Sequence, residues 1–569
     1  MEPLLPHFPG EFGALIHLAL ATILALLYIK HRSIAILPAI MISSLIGVFL
    51  GFEIHPFISG ISGFAAALIV FIAGLELKPE FIKKNKERVL IMFFFEATIF
   101  FTIFYLLVTF LPLQFAVTIA AIMVASNEAF VLDLEKYGDE ELAQFGITIS
   151  VLEDASAVFL LSLGFFTTLT ISLPEEHLAL LLAVIVMLIP LFYIISEPFD
   201  RFIDRIERLD AKVLLSILYL AILISTAEVL GIPEAITVFI GAVNLSLRGF
   251  DKEAFRAMES YYVLALIGFV ASLPYNLESS IPQLLNISSI MFVVVAGILL
   301  ALIAFVLRAS MIIIAGTMGG LGIKKSLELG ISLGNTGEFG LIVLAALIGE
   351  KGIIPPDLAL AAMVAYAVNL TLVSYFVKNI VKLTNWLLSR AHFLWNFLDK
   401  VSESADDFVM YAAKDESLKK DILGMSIMLI VGYFSLFVQR LVTHVFITYI
   451  MSIAVISSFI VAIQKFYHAF SESVERKLFK RGYVSAFMML MRFLILYVIV
   501  APMISFLSIE LTEYKLALRL EHPVSIFLIL LTIYGLSYIS ERLANFFFEE
   551  KEEIVEKIKE LEEISKIIE

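Results

Sequence analysis

Two adjacent carboxylates, Glu153 and Asp154, lie inside a long apolar segment of the sequence. A charged side chain at membrane depth costs roughly 2.5–3.5 kcal/mol on insertion scales, so acids inside an apolar span mark candidate functional sites. Arg308 interrupts a second apolar segment. Counting residues places Asp154 and Arg308 at a similar depth, roughly 14 Å from the same membrane surface at 1.5 Å per residue. Because a cation–carboxylate pair offsets much of the cost of burying either charge, the sequence predicts that these three groups lie together.

The chemistry of such a cluster is exchange between a proton and a metal cation. Burial and a neighbouring acid favour the protonated form of a carboxyl group, whereas a nearby guanidinium favours the ionised form. The ionised group offers oxygen ligands to Na⁺ or K⁺, and the protonated group does not hold the ion. We predict that proton and cation compete at Asp154, with Ser150 adding an oxygen one helical turn earlier. Glu153 is either a second ligand or a fixed partner of Arg308.

Two further apolar segments are broken by polar residues, at 126–128 and at 334–338. Glycines on both sides of Asn335 and Thr336 favour unwinding of the second segment. Unwound backbone at membrane depth is tolerated only inside protein or beside a cavity. The two segments are predicted to run in opposite directions, as in an inverted repeat whose half-helices meet near the midplane. Candidate ion ligands or crossing stabilisers are Ser126, Asn127 and Thr336, and candidate crossing or cavity residues are Glu128, Asn335 and Glu338.

The composition is that of a membrane protein. Of 569 residues, 60% are hydrophobic and only 17% are charged, which is too little charge to cover a soluble protein of this length. The sequence has no cysteine, which excludes disulfides and thiolate metal sites. The net charge of −14 says little about ligands, but nothing in the sequence resembles a basic nucleic-acid surface, and we predict no nucleic-acid partner. No motif of a hydrolytic enzyme is present, and we predict neither enzymatic activity nor a cofactor.

Apolar runs of about 20 residues predict an all-α polytopic protein with about thirteen spans and a C-terminal extension of about four more. The predicted parts are a membrane domain (1–378), a cytoplasmic amphipathic linker (379–421), the extension (422–545) and a cytoplasmic charged helical tail (546–569). Lys and Arg cluster in alternate loops, which predicts an outside N-terminus and a cytoplasmic C-terminus. The Phe-rich run at 92–101 is interpreted as lipid-facing.

Several stretches of the chain resemble the monovalent cation:proton antiporter superfamily, in particular its second family of sodium/proton and potassium-efflux antiporters. The resemblance covers about residues 15–378, and its motifs recur in the order and spacing of the family. These motifs are FIAGLELKPEFIKKN (71–85), ASNEAFVL (125–132), VLEDASAVFLL (151–161), IPEAITVFIGAVNLS (232–246) and LGNTGEFGLIVLA (333–345).

The resemblance implies an inverted-repeat fold with two broken crossing helices, a dimer-forming domain and a core domain that moves like an elevator. Asp154 matches the family's ion- and proton-binding aspartate, Glu153 takes the preceding place, and Arg308 takes the place of a basic residue. The expected partners are Na⁺ or K⁺, protons, the lipid bilayer of the cell membrane and a second copy of the chain. If Glu153 and Arg308 remain paired, exchange of one proton for one cation is electroneutral.

Na⁺/H⁺ exchange is favoured over K⁺/H⁺ exchange. A monovalent cation channel, in which the same acids would form a selectivity ring, is one alternative. A non-transporting membrane sensor or scaffold is the other. Two broken spans of opposite direction favour a carrier over a channel.

Overall fold

The computed structural model describes most of the N-terminal two thirds of the chain and one helix beyond it. The described residues are 36–49, 56–76, 79–135, 139–172, 194–203, 205–230, 234–275, 287–348, 354–390, 392–412 and 445–469, with single positions between 192 and 435. The predicted spans at 11–29, 485–507 and 524–544, most of the span at 178–196, and the tail at 546–569 lie outside these ranges. The predicted span at 422–439 is described only at single positions.

Every regular element in the described ranges is a helix. In chain order the helices are α1 (Ile36–Phe49), α2 (Pro56–Glu76), α3 (Pro79–Phe110), α4 (Leu113–Met123), α5 (Ala129–Glu135), α6 (Glu140–Ser172), α7 (Leu209–Leu230), α8 (Glu234–Leu247), α9 (Lys252–Ser272), α10 (Ile287–Met318), α11 (Ile323–Leu333), α12 (Glu338–Ile348), α13 (Pro356–Lys378), α14 (Ile380–Arg390), α15 (His392–Ala412) and α16 (Val445–Ala469). The predicted all-α fold is confirmed for this part of the chain, and the total number of spans stays a prediction.

Several of these helices can cross a membrane. By length and apolar composition the described residues contain four such helices, α7, α9, α10 and α13. The pair α11 and α12, bent by 43° at its break, makes a fifth. The apolar runs locate some helices closely, since the predicted span at 356–378 has the same bounds as α13.

The helices of the membrane domain pack as two bundles. We call α1, α2, α7, α8 and α9 the scaffold bundle, in which α2 packs against α7, α8 and α9. The crossing bundle contains α3 to α6 and α10 to α14, in which α10 packs against α3, α4, α11 and α13. The bundles meet where α6 packs against α2 and α8, and where α13 packs against α1. Each half of the sequence contributes helices to both bundles, as a repeated fold requires.

A partly buried ion pair joins the starts of two scaffold helices. Asp251 precedes α9 and accepts hydrogen bonds from the amides of Glu253 (2.9 Å) and Ala254 (2.8 Å), which caps that helix. It also pairs with Lys212 in the first turn of α7. Burial raises the pKa of Asp251, but the bonds from Lys212 and from the two amides outweigh it and hold this pKa below its usual value. The pair therefore fixes the start of α7 against the start of α9.

One interpretation of the sequence is wrong at the centre of α3. The Phe-rich run was expected to face lipid, yet Met92, Phe95 and Glu96 are all at most 3% exposed. These residues are three and four positions apart, so they share one helix face. That helix packs against α4, α6 and α10. One face of this run is therefore buried inside the crossing bundle.

The chain divides into two compact units, Met1–Asn396 and Phe397–Glu569, and both bundles belong to the first. Within the second unit, Lys465 on α16 pairs with Asp421 at 3.1 Å, and Phe459 is fully buried. The cytoplasmic linker and the membrane extension assigned to this region stay predictions.

Candidate functional site

The two predicted breaks lie against each other. Between α4 and α5 the amide of Asn127 donates to Oδ1 of Asn335 (2.6 Å), and Nδ2 of Asn335 donates to the carbonyl of Asn127 (3.1 Å). The amide of Gly337 donates to the carbonyl of Ala125 (2.8 Å). A broken helix leaves backbone groups without partners, and at membrane depth water is not present to satisfy them. Each break therefore supplies the hydrogen bonds that the other lacks.

Gly337 permits this close approach. A Cβ atom at this position would lie 2.5 Å from the carbonyl oxygen of Ser126 and 2.6 Å from its carbonyl carbon. Because both atoms are backbone, neither can rotate away as a flexible side chain would. The glycines of the second break thus do more than favour unwinding, since Gly337 lets the backbones of the two breaks come into contact.

Arg308 on α10 binds three groups at the crossing and is 1% exposed. Its Nε donates to the carbonyl of Leu333 (2.8 Å), the last residue of α11, and Nη1 donates to the carbonyl of Met123, the last residue of α4. Nη2 pairs with Oε2 of Glu153. The C-terminal end of a helix carries a partial negative charge and unpaired carbonyls. One guanidinium therefore compensates two half-helix ends and one carboxylate.

Glu153 is held by the first break as well as by Arg308. Its Oε2 accepts from the amide of Ser126 (2.8 Å) and from the hydroxyl of Ser126 (2.5 Å). Ser150 already has partners in the first break. Its hydroxyl lies 3.1 Å from the hydroxyl of Ser126 and donates to the Ser126 carbonyl at 3.1 Å. We call Arg308, Glu153 and Ser126 the brace. Three donors on one carboxylate oxygen hold Glu153 in place.

Asp154 has different surroundings from its neighbour. It is 3% exposed, and its Oδ1 has no hydrogen-bond partner among the described residues. It interacts electrostatically with four other carboxylates, those of Glu338, Glu128, Glu153 and Glu76. A buried acceptor without a partner is costly, so such a group calls for a proton, a cation or water. Thr336 Oγ1, Glu153 Oε1 and Glu96 Oε2 are further buried oxygens of site residues without a partner in the described part of the chain.

Glu338 links the crossing to the scaffold bundle. It is the first residue of α12, where the helix dipole favours a negative charge, and it is 4% exposed. Its Oε2 accepts from Nδ2 of Asn127 (2.9 Å), and its Oε1 accepts from the hydroxyl of Tyr262 on α9. Oδ1 of Asn127 in turn accepts from the amide of Ala129 (3.0 Å) at the start of α5. Glu128, beside Asn127, is half-buried.

Three residues of this site were missed in the sequence. Oδ1 of Asn369 on α13 accepts from the amide of Thr336 (2.9 Å), and its Nδ2 donates to the carbonyl of Gly334 (3.3 Å). Glu96 on α3 lies within hydrogen-bonding reach of Glu153. Tyr262 is the third. Glu96 and Asn369 could have been found as isolated polar residues within apolar runs, whereas Tyr262 carries no such signal.

Among the described residues, no group of three or more His, Asp or Glu side chains is placed to hold a metal ion. The chain matches the family model described as "Sodium/hydrogen exchanger, transmembrane" over residues 18–382, a range that contains every residue of the crossing site. No curated protein matches the chain.

Proposed function

Because the chain belongs to the sodium/hydrogen exchanger family of monovalent cation:proton antiporters, we propose that it exchanges Na⁺ for protons at Asp154. Members of this family are integral multi-pass membrane proteins that transport cations against protons, and they are transporters rather than enzymes. The proposal goes beyond the family in naming Na⁺ rather than K⁺, the site and the mechanism.

The contrast between the two neighbouring acids supports this choice of site. Glu153 Oε1 has no hydrogen-bond partner among the described residues, but Oε2 has three donors, one of them the guanidinium of Arg308. Asp154 Oδ1 has no partner among the described residues, although the side chain is almost fully buried. A buried carboxylate that the surrounding protein neither neutralises nor hydrogen-bonds is suited to binding a proton and a cation in turn. Asp154 is that group, and Glu153 is the fixed partner of Arg308.

Proton and cation then compete for one carboxylate. The ionised Asp154 binds Na⁺ with neutral oxygens completing the shell, and Thr336 Oγ1 is a candidate for one of them because it has no hydrogen-bond partner among the described residues. Binding of a proton neutralises Asp154 and releases the ion. Either occupant satisfies the carboxylate, so the crossing bundle can move relative to the scaffold bundle and expose the site to the other side of the membrane.

The charges at the site favour a one-for-one exchange. Arg308 and Glu153 form a pair that keeps its charges throughout the cycle, and Asp154 is neutralised once by a proton or once by Na⁺. The bundle therefore carries the same net charge in both directions. We expect the exchange to be electroneutral.

The assembly is proposed to be a homodimer in the cell membrane, formed through the scaffold bundle. The family resemblance of the sequence supports this, since it implies a dimer-forming domain apart from the ion-binding core. Helix α7 presents a stripe of exposed apolar side chains at Leu214, Leu218 and Ile222 that is suited to lipid or to a second copy.

The test uses purified protein in liposomes that contain a pH-sensitive dye. Gradients of Na⁺, Li⁺, K⁺ and Rb⁺ are applied in turn, with and without a clamp on the membrane potential. We expect Na⁺ to move protons, and we expect Asp154→Asn to abolish exchange, because a carboxamide can neither release a proton nor supply a charged ligand. Thermal unfolding in detergent checks that this variant is folded.

Ser156→Ala is the matched control, since Ser156 lies on the same helix and, among the described residues, its hydroxyl bonds only to the carbonyl of Leu152 (2.9 Å). It should exchange like the wild type. Robust exchange by folded Asp154→Asn would refute the site. Cation flux without stoichiometric proton movement would identify a channel, and a wild type that moves neither ion would favour a sensor or scaffold.

A further inference from the structure

Tyr262 contacts the site from outside the crossing bundle. Its hydroxyl donates to Oε1 of Glu338, and the other oxygen of Glu338 accepts from Asn127. Glu338 thus has one oxygen bound to each bundle. Glu338 is also one of the carboxylates whose charge acts on Asp154. The hydroxyl of Tyr262 is therefore connected, through a single carboxylate, to the break and to the exchanging acid.

The two ends of this hydrogen bond belong to different packing units. Tyr262 lies on α9, which packs against α1, α2 and α7 within the scaffold bundle. Glu338 starts α12, which packs against α4, α6 and α13 within the crossing bundle. A side-chain hydrogen bond tolerates only a few tenths of an ångström of stretch before it weakens. Any sizeable movement of one bundle along the other must break it.

We propose that Tyr262 is a positioning residue that tethers the crossing bundle to the scaffold bundle and must release Glu338 in each transport cycle. This inference rests on the proposed alternating movement of the two bundles. The tether stabilises the conformation in which it is formed, because a hydrogen bond to a carboxylate is stronger than one between neutral groups. Release then contributes to the barrier for movement, and the strength of the tether sets the turnover rate.

The test compares Tyr262→Phe with Tyr261→Phe. The two residues are neighbours on α9, but Tyr261 is 50% exposed, and no described hydrogen bond joins it to the crossing. Both substitutions remove one hydroxyl and leave the ring in place. Exchange is measured in liposomes as kcat and KM for Na⁺, and amide hydrogen exchange is measured for α12 in detergent.

Loss of the tether should raise kcat about tenfold, which corresponds to about 1.4 kcal/mol in the barrier. The KM for Na⁺ should change much less, since Tyr262 does not contact Asp154. Amide exchange at the start of α12 should become faster in Tyr262→Phe. Tyr261→Phe should match the wild type in all three measurements.

A kcat for Tyr262→Phe that equals that of Tyr261→Phe, or falls below it, would overturn the tether. Unchanged amide exchange at α12 would do the same. If the wild type exchanges no cation for protons, the proposed function fails, and the amide exchange of the same two variants still decides whether Tyr262 holds α12. The two failures are therefore distinguishable.

Discussion

Glu153 and Asp154 are adjacent in the chain, yet the fold treats them differently. Successive residues of a helix point about 100° apart, so the two side chains meet different partners. Glu153 is engaged by Ser126 and by Arg308, whereas Asp154 Oδ1 has no partner among the described residues. Two acids that look equivalent in the sequence thus have different partners, which supports the separate roles proposed for them, one positioning and one exchanging.

The coupling between Glu153 and Arg308 can be measured by a double-mutant cycle. Arg308→Met should lower the free energy of unfolding by about 3–5 kcal/mol, because it leaves a buried carboxylate without its cation. The double variant Glu153→Gln/Arg308→Met should lose less than the sum of the single losses, by about 1–3 kcal/mol. The measurement is denaturant or thermal unfolding in detergent.

The control cycle uses Lys325 and Asp139, an ion pair of 2.9 Å whose side chains are 42% and 29% exposed. Solvent-exposed pairs contribute at most about 1 kcal/mol, so this cycle should show little coupling. Strictly additive losses for Glu153 and Arg308 would mean that their contact does not stabilise the fold.

Residue types and spacing identify this site only in part. An acid, an arginine or a glycine-flanked break inside an apolar run costs free energy. Each can therefore be recognised from a single sequence. The partner that each residue chooses depends on how distant helices pack. Glu96 was overlooked because it lies in a phenylalanine-rich run, although it is buried in the structure and interacts electrostatically with Glu153. Tyr262 could not be identified, since tyrosine is common near membrane interfaces and its role comes from the position of α12.

At the scale of helices, the crossing depends on backbone contacts that only small residues allow. The break between α11 and α12 lies directly on the break between α4 and α5, with hydrogen bonds in both directions. Continuous apolar runs located α10 and α13 well, because a span must be apolar along its whole length. It located the starts of α3 and α6 poorly, since both helices continue beyond the apolar run into charged residues.

Gly337→Ala should disrupt the crossing. The added methyl group would lie 2.5 Å from the carbonyl oxygen of Ser126, so the two breaks must separate. Overpacking of this kind costs about 1–3 kcal/mol, and the separation also weakens the bonds of Asn127 and Asn335. We expect a lower unfolding temperature and a loss of exchange activity in liposomes.

Gly249→Ala is the control for replacing a glycine as such. Gly249 has a φ of +96°, and no atom lies within 4 Å of the position of its added Cβ. Backbone strain of about 1–2 kcal/mol should lower stability without affecting exchange. A Gly337→Ala protein that exchanges Na⁺ as well as Gly249→Ala would show that close contact of the two breaks is not required.

At the scale of the molecule, both halves of the sequence supply the two bundles in the same order. Helices α1 and α2 enter the scaffold bundle before α3 to α6 form one side of the crossing, and α7 to α9 precede α10 to α13 in the same way. Polar contacts join loops that the charge pattern assigns to one side of the membrane. Lys325 pairs with Asp139, and Arg248 lies 3.5 Å from Glu197. These contacts are consistent with the predicted inverted repeat.

The absence of cysteine from the sequence allows the sidedness of the fold to be tested directly. Gln114 and Lys324 are exposed residues at the starts of α4 and α11, the first halves of the two broken spans. An inverted repeat requires these starts to lie on opposite sides of the membrane. A membrane-impermeant thiol reagent should label Gln114→Cys in intact cells and Lys324→Cys only after permeabilisation. Labelling of both from one side would contradict the inverted repeat. The reverse pattern would keep the repeat and invert the proposed orientation, because the positive loops would then lie outside.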